Sequence, residues 1–197
     1  MNALPLTLRQ PTLAAFLAGQ TLRLRRPADG IYNKLGAGDR LWIREPFRLE
    51  SRYNSLSPTA ADERGAEPFF APGLTEPMAN QMGLGPERYA RCLLRDWHRH
   101  HALVTDISRV VLQGISEAEC RALGYRTVSA FAADWDRDVT GFTGKWDPRV
   151  WDKNPTVLAI TIEPKLHRLP QDDPYPAARQ GSADLAAAIA NQGGIPR

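Results

Sequence analysis

Two short stretches, Thr21-Leu22-Arg23-Leu24-Arg25-Arg26 and Gly38-Asp39-Arg40-Leu41-Trp42-Ile43-Arg44-Glu45, decide the class of fold. In the first, Leu22 and Leu24 oppose Arg23 and Arg25; in the second, Leu41 and Ile43 oppose Arg40, Trp42 and Arg44. Side chains of a strand point to opposite faces in turn, so this alternation marks strands with one face buried. Two further strands follow. Ala102–Leu112 carries Val104, Ile107, Val110 and Val111, and Thr156–Glu163 places Leu158, Ile160 and Ile162 on one face. Helices are expected between them: Thr12–Ala18 after Pro11, Glu87–Trp97 with Tyr89, Leu93 and Trp97 on one stripe, and a short helix opened by a Ser116/Glu119 capping box and ended by Gly124. Val128, Phe131, Trp135 and Val139 form the apolar stripe of a last helix. The order α-β-β, excursion, α-β-α-α-β lacks regular βαβ spacing and predicts a small α+β barrel rather than a doubly wound sheet.

Composition narrows the class of protein. At 197 residues, 43% hydrophobic and 24% charged, the chain suits one ordinary globular domain and is neither collagen-like nor wholly disordered. No unbroken apolar run reaches the ~18 residues of a membrane span. The start is read as mature protein without a leader, because Pro5, Arg9 and Pro11 interrupt any apolar signal segment. Cys92 and Cys120 stand far apart, outside any C-x-x-C pair, so a reducing cytoplasm is the expected compartment. The net charge is only +3, but 21 of the 25 cations are arginine, whose planar fork fits phosphates and base edges. A GC-rich coding sequence would produce the same bias. Basic residues outnumber acidic ones by eight to four over 1–50 and five to two over 88–109, and are outnumbered two to five over 51–87. The Pro-, Gly- and Glu-rich part around 51–87 is expected to be an irregular insertion between core strands, where a host protein could dock. Residues 1–168 would form the domain and 169–197 a Pro/Ala-rich tail with a small helix over Ser182–Ala190.

Four blocks also resemble a family. Pro11 through Arg26 is similar to the opening of phage and prophage ASCH-domain proteins, where a short helix runs into a G-R-K-T-x-T-R-R strand. Gly38–Glu45 resembles their G-D-x-L-W-V-R-E strand, and Ala102–Asp106 with Ile115–Glu119 resembles their T-D-V strand and I-S-E-E-x-A helix. Trp151, Asn154-Pro155 and Val157–Glu163 are similar to the W-x-x-N-P-W-V-W-V-I-E-F ending, and the blocks keep the family's order over roughly 5–165. The resemblance implies a PUA-like (ASCH) β-pseudobarrel with flanking helices, a cleft for RNA, modified bases or nucleosides, and the cytoplasm of a bacterial host. Some members are amidohydrolases of N4-acylated cytidine that use a Lys and a Thr of the first strand and a Glu near the later helix. Here Thr21 and Leu24 stand where that Lys and Thr would lie, and Glu117 or Glu119 matches the Glu, so catalysis by this route is not expected.

The candidate contacts follow. Arg23 and Arg25 share a strand face and, with Arg26 and Arg44, would form a phosphate-gripping edge; the same cations could instead be a solvated face that discourages edge pairing. Trp42 could stack on a base or plug the barrel end, and Glu45 could accept from an exocyclic amine or act as general base of a hydrolase or nuclease. Lys145, Trp146, Arg149, Trp151 and Lys153 interleave cations and aromatics in one loop, suited to bases and phosphates or to capping the core. His98, His100 and His101 with Cys92 lack the spacing of a zinc site and are expected to form a basic surface that gains charge below neutral pH. No metal or cofactor is expected. RNA or single-stranded or modified nucleic acid is the expected partner.

Overall fold

Pro5 constrains where the sheet can begin, because a residue without an N–H cannot sit in the middle of a ladder. The computed structural model describes residues 3–140 and 147–169. Strand β1 (Ala3–Thr7), helix α1 (Thr12–Leu17), strand β2 (Leu22–Pro27) and strand β3 (Arg40–Arg44) come first; an excursion then holds β4 (Phe47–Arg48), α2 (Pro58–Asp62), β5 (Phe69–Phe70) and α3 (Glu76–Gln81). The chain continues through β6 (His101–Val111), α4 (Glu117–Ala122), α5 (Val128–Thr140) and β7 (Thr156–Lys165). Five strands form one sheet in the order β1-β3-β6-β7-β2. Strand β1, with its proline, is an edge, and it runs parallel to β3. The other three pairings are antiparallel, and the long β6–β7 ladder shifts register between Val104 and Asp106.

The closed barrel expected from the sequence is not formed. Among the described residues the sheet is open, mixed and α+β, with β1 and β2 as its two edges. Helix α1 connects those edges along the chain and buries Leu13 and Phe16 in the main core. The edges still come within side-chain reach: Arg26 Nη2 donates to the Thr7 carbonyl at 3.0 Å. Leu22, Leu24, Leu41, Ile43, Val104, Ile160 and Ile162 enter the core as their alternation indicates, and Leu6, Ala102, Val157 and Leu158 of the same sheet join them.

Helices α4 and α5 lie against the same core through Cys120, Leu123, Phe131 and Trp135. The Ser116/Glu119 capping box is present, and Gly124 ends the turn at φ 86°, where a Cβ would also lie 2.9 Å from that of Pro11. Between β3 and β6 the excursion has a satellite core of Phe47, Leu49, Tyr53, Ala61, Leu93 and Trp97. The helix expected over Glu87–Trp97 is instead two 3-10 turns, Ala90–Cys92 and Arg95–Trp97. Leu93 and Trp97 point into the satellite core while Tyr89, their partner in the expected stripe, is 74% exposed. The insertion around 51–87 is less irregular than its composition suggests, since Ser57 and Thr75 cap the short helices α2 and α3 within it. The expected helix at Ser182–Ala190 lies outside the described residues.

Candidate nucleic-acid interface

Strand β2 does present Arg23 and Arg25 on one face, but α4 comes down upon them. Glu119 Oε1 accepts from Arg25 Nη2 at 2.9 Å and from Arg23 Nη1 at 3.2 Å, and Arg23 Nη2 also reaches Ser108 Oγ at 3.2 Å. Arg25 is buried while Arg23 stays part-exposed, and both are tied to Glu119, so the pair is a clamp on α4 and not the open phosphate edge expected from the sequence. Burial alone would raise the Glu119 carboxyl, yet hydrogen bonds from Ser116 and Arg25 outweigh it and hold the group below the ordinary glutamate range. Glu117 pairs with Arg121 one turn along the exposed face of α4. Leu24 is in the core and Thr21 is exposed just before β2 begins.

The residues at the end of β3 also part company. Trp42 is buried with Ala3 and Leu169, and the Arg44 guanidinium lies over its ring at 4.7 Å. Burial lowers the Arg44 pKa, against the opposing influence of Tyr32 and Cys92. Glu45 is wholly buried, and both its oxygens accept from Arg99, at 3.1 Å from Nε to Oε1 and 2.7 Å from Nη2 to Oε2. A carboxylate held in this fork is poorly placed to take a proton from a substrate. The histidines depart from expectation as well. His98 and His101 are buried and hold the end of the described chain, His98 accepting from the Leu169 N–H at 3.1 Å and His101 hydrogen-bonded to the His167 carbonyl at 2.8 Å. Burial pushes the pKa of His98 and His100 down, so they resist the charge that a basic surface would need. Among the described residues no cluster of ligating side chains could hold a metal ion.

A different group of cations does converge. A cleft of about 400 Å³ is lined by Arg9, Arg26, Arg91 and Arg149, with Tyr32 and Trp135 in its walls and Asp138 as its carboxylate. Arg26 gives its hydrogen bonds to the carbonyls of Arg25 and Thr7, so its charge is left unneutralised by those contacts. Arg91 is exposed and sits over the Tyr89 ring at 5.2 Å. Among the described residues no carboxylate makes an ion pair with Arg26 or Arg91. Arg9 pairs with Asp138, and Arg149 is gripped by buried Asp147 through Nε and Nη2 at 2.8 and 2.6 Å, which raises its pKa.

Of the loop residues singled out in the sequence, Arg149 therefore reaches the cleft, whereas Trp151 is half-buried and packs edge-on to Phe131 at 6.1 Å. Lys145 and Trp146 lie outside the described residues. No local pattern marks Arg9, Tyr32 or Arg91. They come from three separate connections, and only the fold brings them to Arg26. Comparison of the chain with protein-family models, with curated proteins and with solved structures finds no match.

Proposed function

We propose that this chain binds RNA or other single-stranded or modified nucleic acid, with the arginine cleft as the binding surface. The observation that carries the reading is the meeting of Arg26 and Arg91, neither paired with a carboxylate, with Arg9 and Arg149 around one recess walled by Tyr32. Guanidiniums without acidic partners attract phosphates, and an adjoining phenol offers a face for a base. The ASCH-like order of sequence blocks and a cytoplasmic bacterial or phage setting belong to the same proposal. A hydrolase or nuclease built on Glu45 has less support, because Arg99 already occupies both carboxylate oxygens. No helix among the described residues is long and apolar enough to cross a membrane.

The test is fluorescence anisotropy with a short unstructured RNA and its DNA counterpart across a salt series. Log affinity should fall linearly with log salt, and Arg91→Ala should make the slope shallower by about 0.7 for each phosphate of a single strand that the side chain neutralises. Arg9→Ala should act in the same direction. Unchanged slope and affinity in both variants, or no binding to either strand at low salt, would sink the proposal.

A further inference from the structure

Among the described residues Tyr89 is the most exposed large hydrophobic side chain, at 74%. A lone exposed aromatic is ordinary on a protein surface, so exposure by itself assigns nothing. Its position does. The guanidinium of Arg91, which is exposed and lines the arginine cleft, lies over the Tyr89 ring at 5.2 Å, within the range of a cation–π contact. The ring therefore stands at the mouth of the cleft, one side chain away from its wall.

The backbone that carries the ring is fixed on both sides. Before it, Arg88 exchanges two main-chain hydrogen bonds with Phe47, its N–H donating at 2.7 Å and its carbonyl accepting at 3.3 Å. The Arg88 guanidinium also donates to the carbonyls of Leu56 and Tyr53 at 2.9 and 2.8 Å. After it, the Cys92 N–H donates to the Tyr89 carbonyl at 2.9 Å and closes the 3-10 turn Ala90–Cys92, whose first residue is buried. Phe47 belongs to the satellite core, so the mount of Tyr89 is anchored in packed structure. A contact surface formed in advance lowers the ordering cost of binding.

We propose that Tyr89 stacks on an unpaired base of the strand whose phosphates the cleft holds, and so selects single strands against duplexes and against polyanions without bases. A single guanidinium covers one face of the ring at most, and the rest of the side chain is open to solvent. Every unpaired base offers a flat face to such a ring, whereas the bases of a duplex are already stacked on one another. Charge alone points the other way, because a duplex carries the phosphates of two strands along one axis and suits a purely basic surface better. The proposal rests on the nucleic-acid reading of the cleft and adds to it the residue that makes the choice.

Three probes of equal length separate the two ideas: an unstructured RNA, its duplex, and the same sugar-phosphate chain with abasic sites in place of the bases. The protein should bind the single strand more tightly than the duplex, and about tenfold more tightly than the abasic chain. Tyr89→Ala should lose that tenfold advantage while the salt slope stays as it was, since no phosphate contact is removed, and Tyr89→Phe should keep it. Equal binding of the single strand and the abasic chain, or tighter binding of the duplex, would overturn stacking and leave the cleft standing. So would a Tyr89→Ala variant with the full advantage. A salt slope that becomes shallower in Tyr89→Ala would mean that the ring only props Arg91, and would overturn the proposal as well. If none of the probes binds at low salt, both readings fall.

Discussion

Glu119 has two oxygens with different partners. Oε2 accepts from the Ser116 N–H at 2.9 Å and closes the capping box of α4, while Oε1 receives Arg23 and Arg25 from β2. A residue that reads as a simple cap in the sequence is therefore also the tie between a helix and the sheet edge. Glu119→Gln keeps the size of the side chain and an oxygen for the cap but removes the charge, and should cost about 1.5 kcal/mol or more in urea unfolding near neutral pH. The sign of its pH dependence follows from the lowered pKa. The folded protein holds the proton less tightly than the unfolded chain, whose glutamate titrates near ~4.3, so the charge-dependent stability is full above that value. It is lost as the pH falls through the folded value. The gap between wild type and variant should accordingly close in acid; a gap that stays constant from neutral pH to about pH 3 would mean that the carboxylate charge is not what ties α4 down.

Among the elements, those set by local chemistry match the reading of the sequence, and those set by distant partners do not. Helix α4 begins at a capping box and ends before a glycine, both visible within a short run of sequence, because capping depends on nearest neighbours. Gly124 is needed twice over, for its φ of 86° and for the approach of Pro11. Gly124→Ala should therefore destabilise by about 1–3 kcal/mol, whereas Gly36→Ala, with nothing within 4 Å of the new Cβ, should stay within about 0.5 kcal/mol. Equal effects at the two sites in denaturant melts would count against this account. Glu87–Trp97 shows the opposite case. Its four-residue apolar spacing is satisfied by two tight turns, because the satellite core draws in Leu93 and Trp97 and leaves Tyr89 in solvent. Strand β1 is hard to see in the sequence because Pro5 weakens a strand pattern, although the same proline is what suits it to an edge.

Across the full fold, arginine does much of its work on the protein itself. Arg26 reaches the Thr7 carbonyl, Arg88 the carbonyls of Leu56 and Tyr53, Arg48 that of Gly85, and Arg168 that of His98. Apart from the contact to Thr7 at the end of β1, these fasten irregular segments whose carbonyls lie outside the ladders. The excursion is held in this way and by its own small core, in which Trp97 also donates to Asp62 at 2.8 Å. Trp97→Ala should cost about 3–5 kcal/mol locally and open the excursion first. Limited proteolysis should then cut within 51–87 while β6 and β7 keep their slow amide exchange. Simultaneous loss of protection in the sheet would show instead that the two cores fold as one unit.

Alternation and nearest-neighbour chemistry are enough to specify the sheet strands from Leu22 onward and the caps of α4, since each depends on residues a few positions apart; that Arg25 and Trp42, on the faces read as polar, are buried too is decided by distant partners. The amino-acid sequence also shows that the chain is rich in arginine, but not which arginines meet. Tertiary structure decides that: α4 lands on β2 and engages Arg23 and Arg25 through the one Glu119 carboxylate, Arg99 takes Glu45, and three connections bring Arg9, Tyr32 and Arg91 to Arg26. A guanidinium reads the same in any sequence, and its role depends on whether the nearest acceptor is a carboxylate, a carbonyl or solvent. Those acceptors lie far away along the chain, 94 positions in the case of Arg25 and Glu119, so no local pattern contains them.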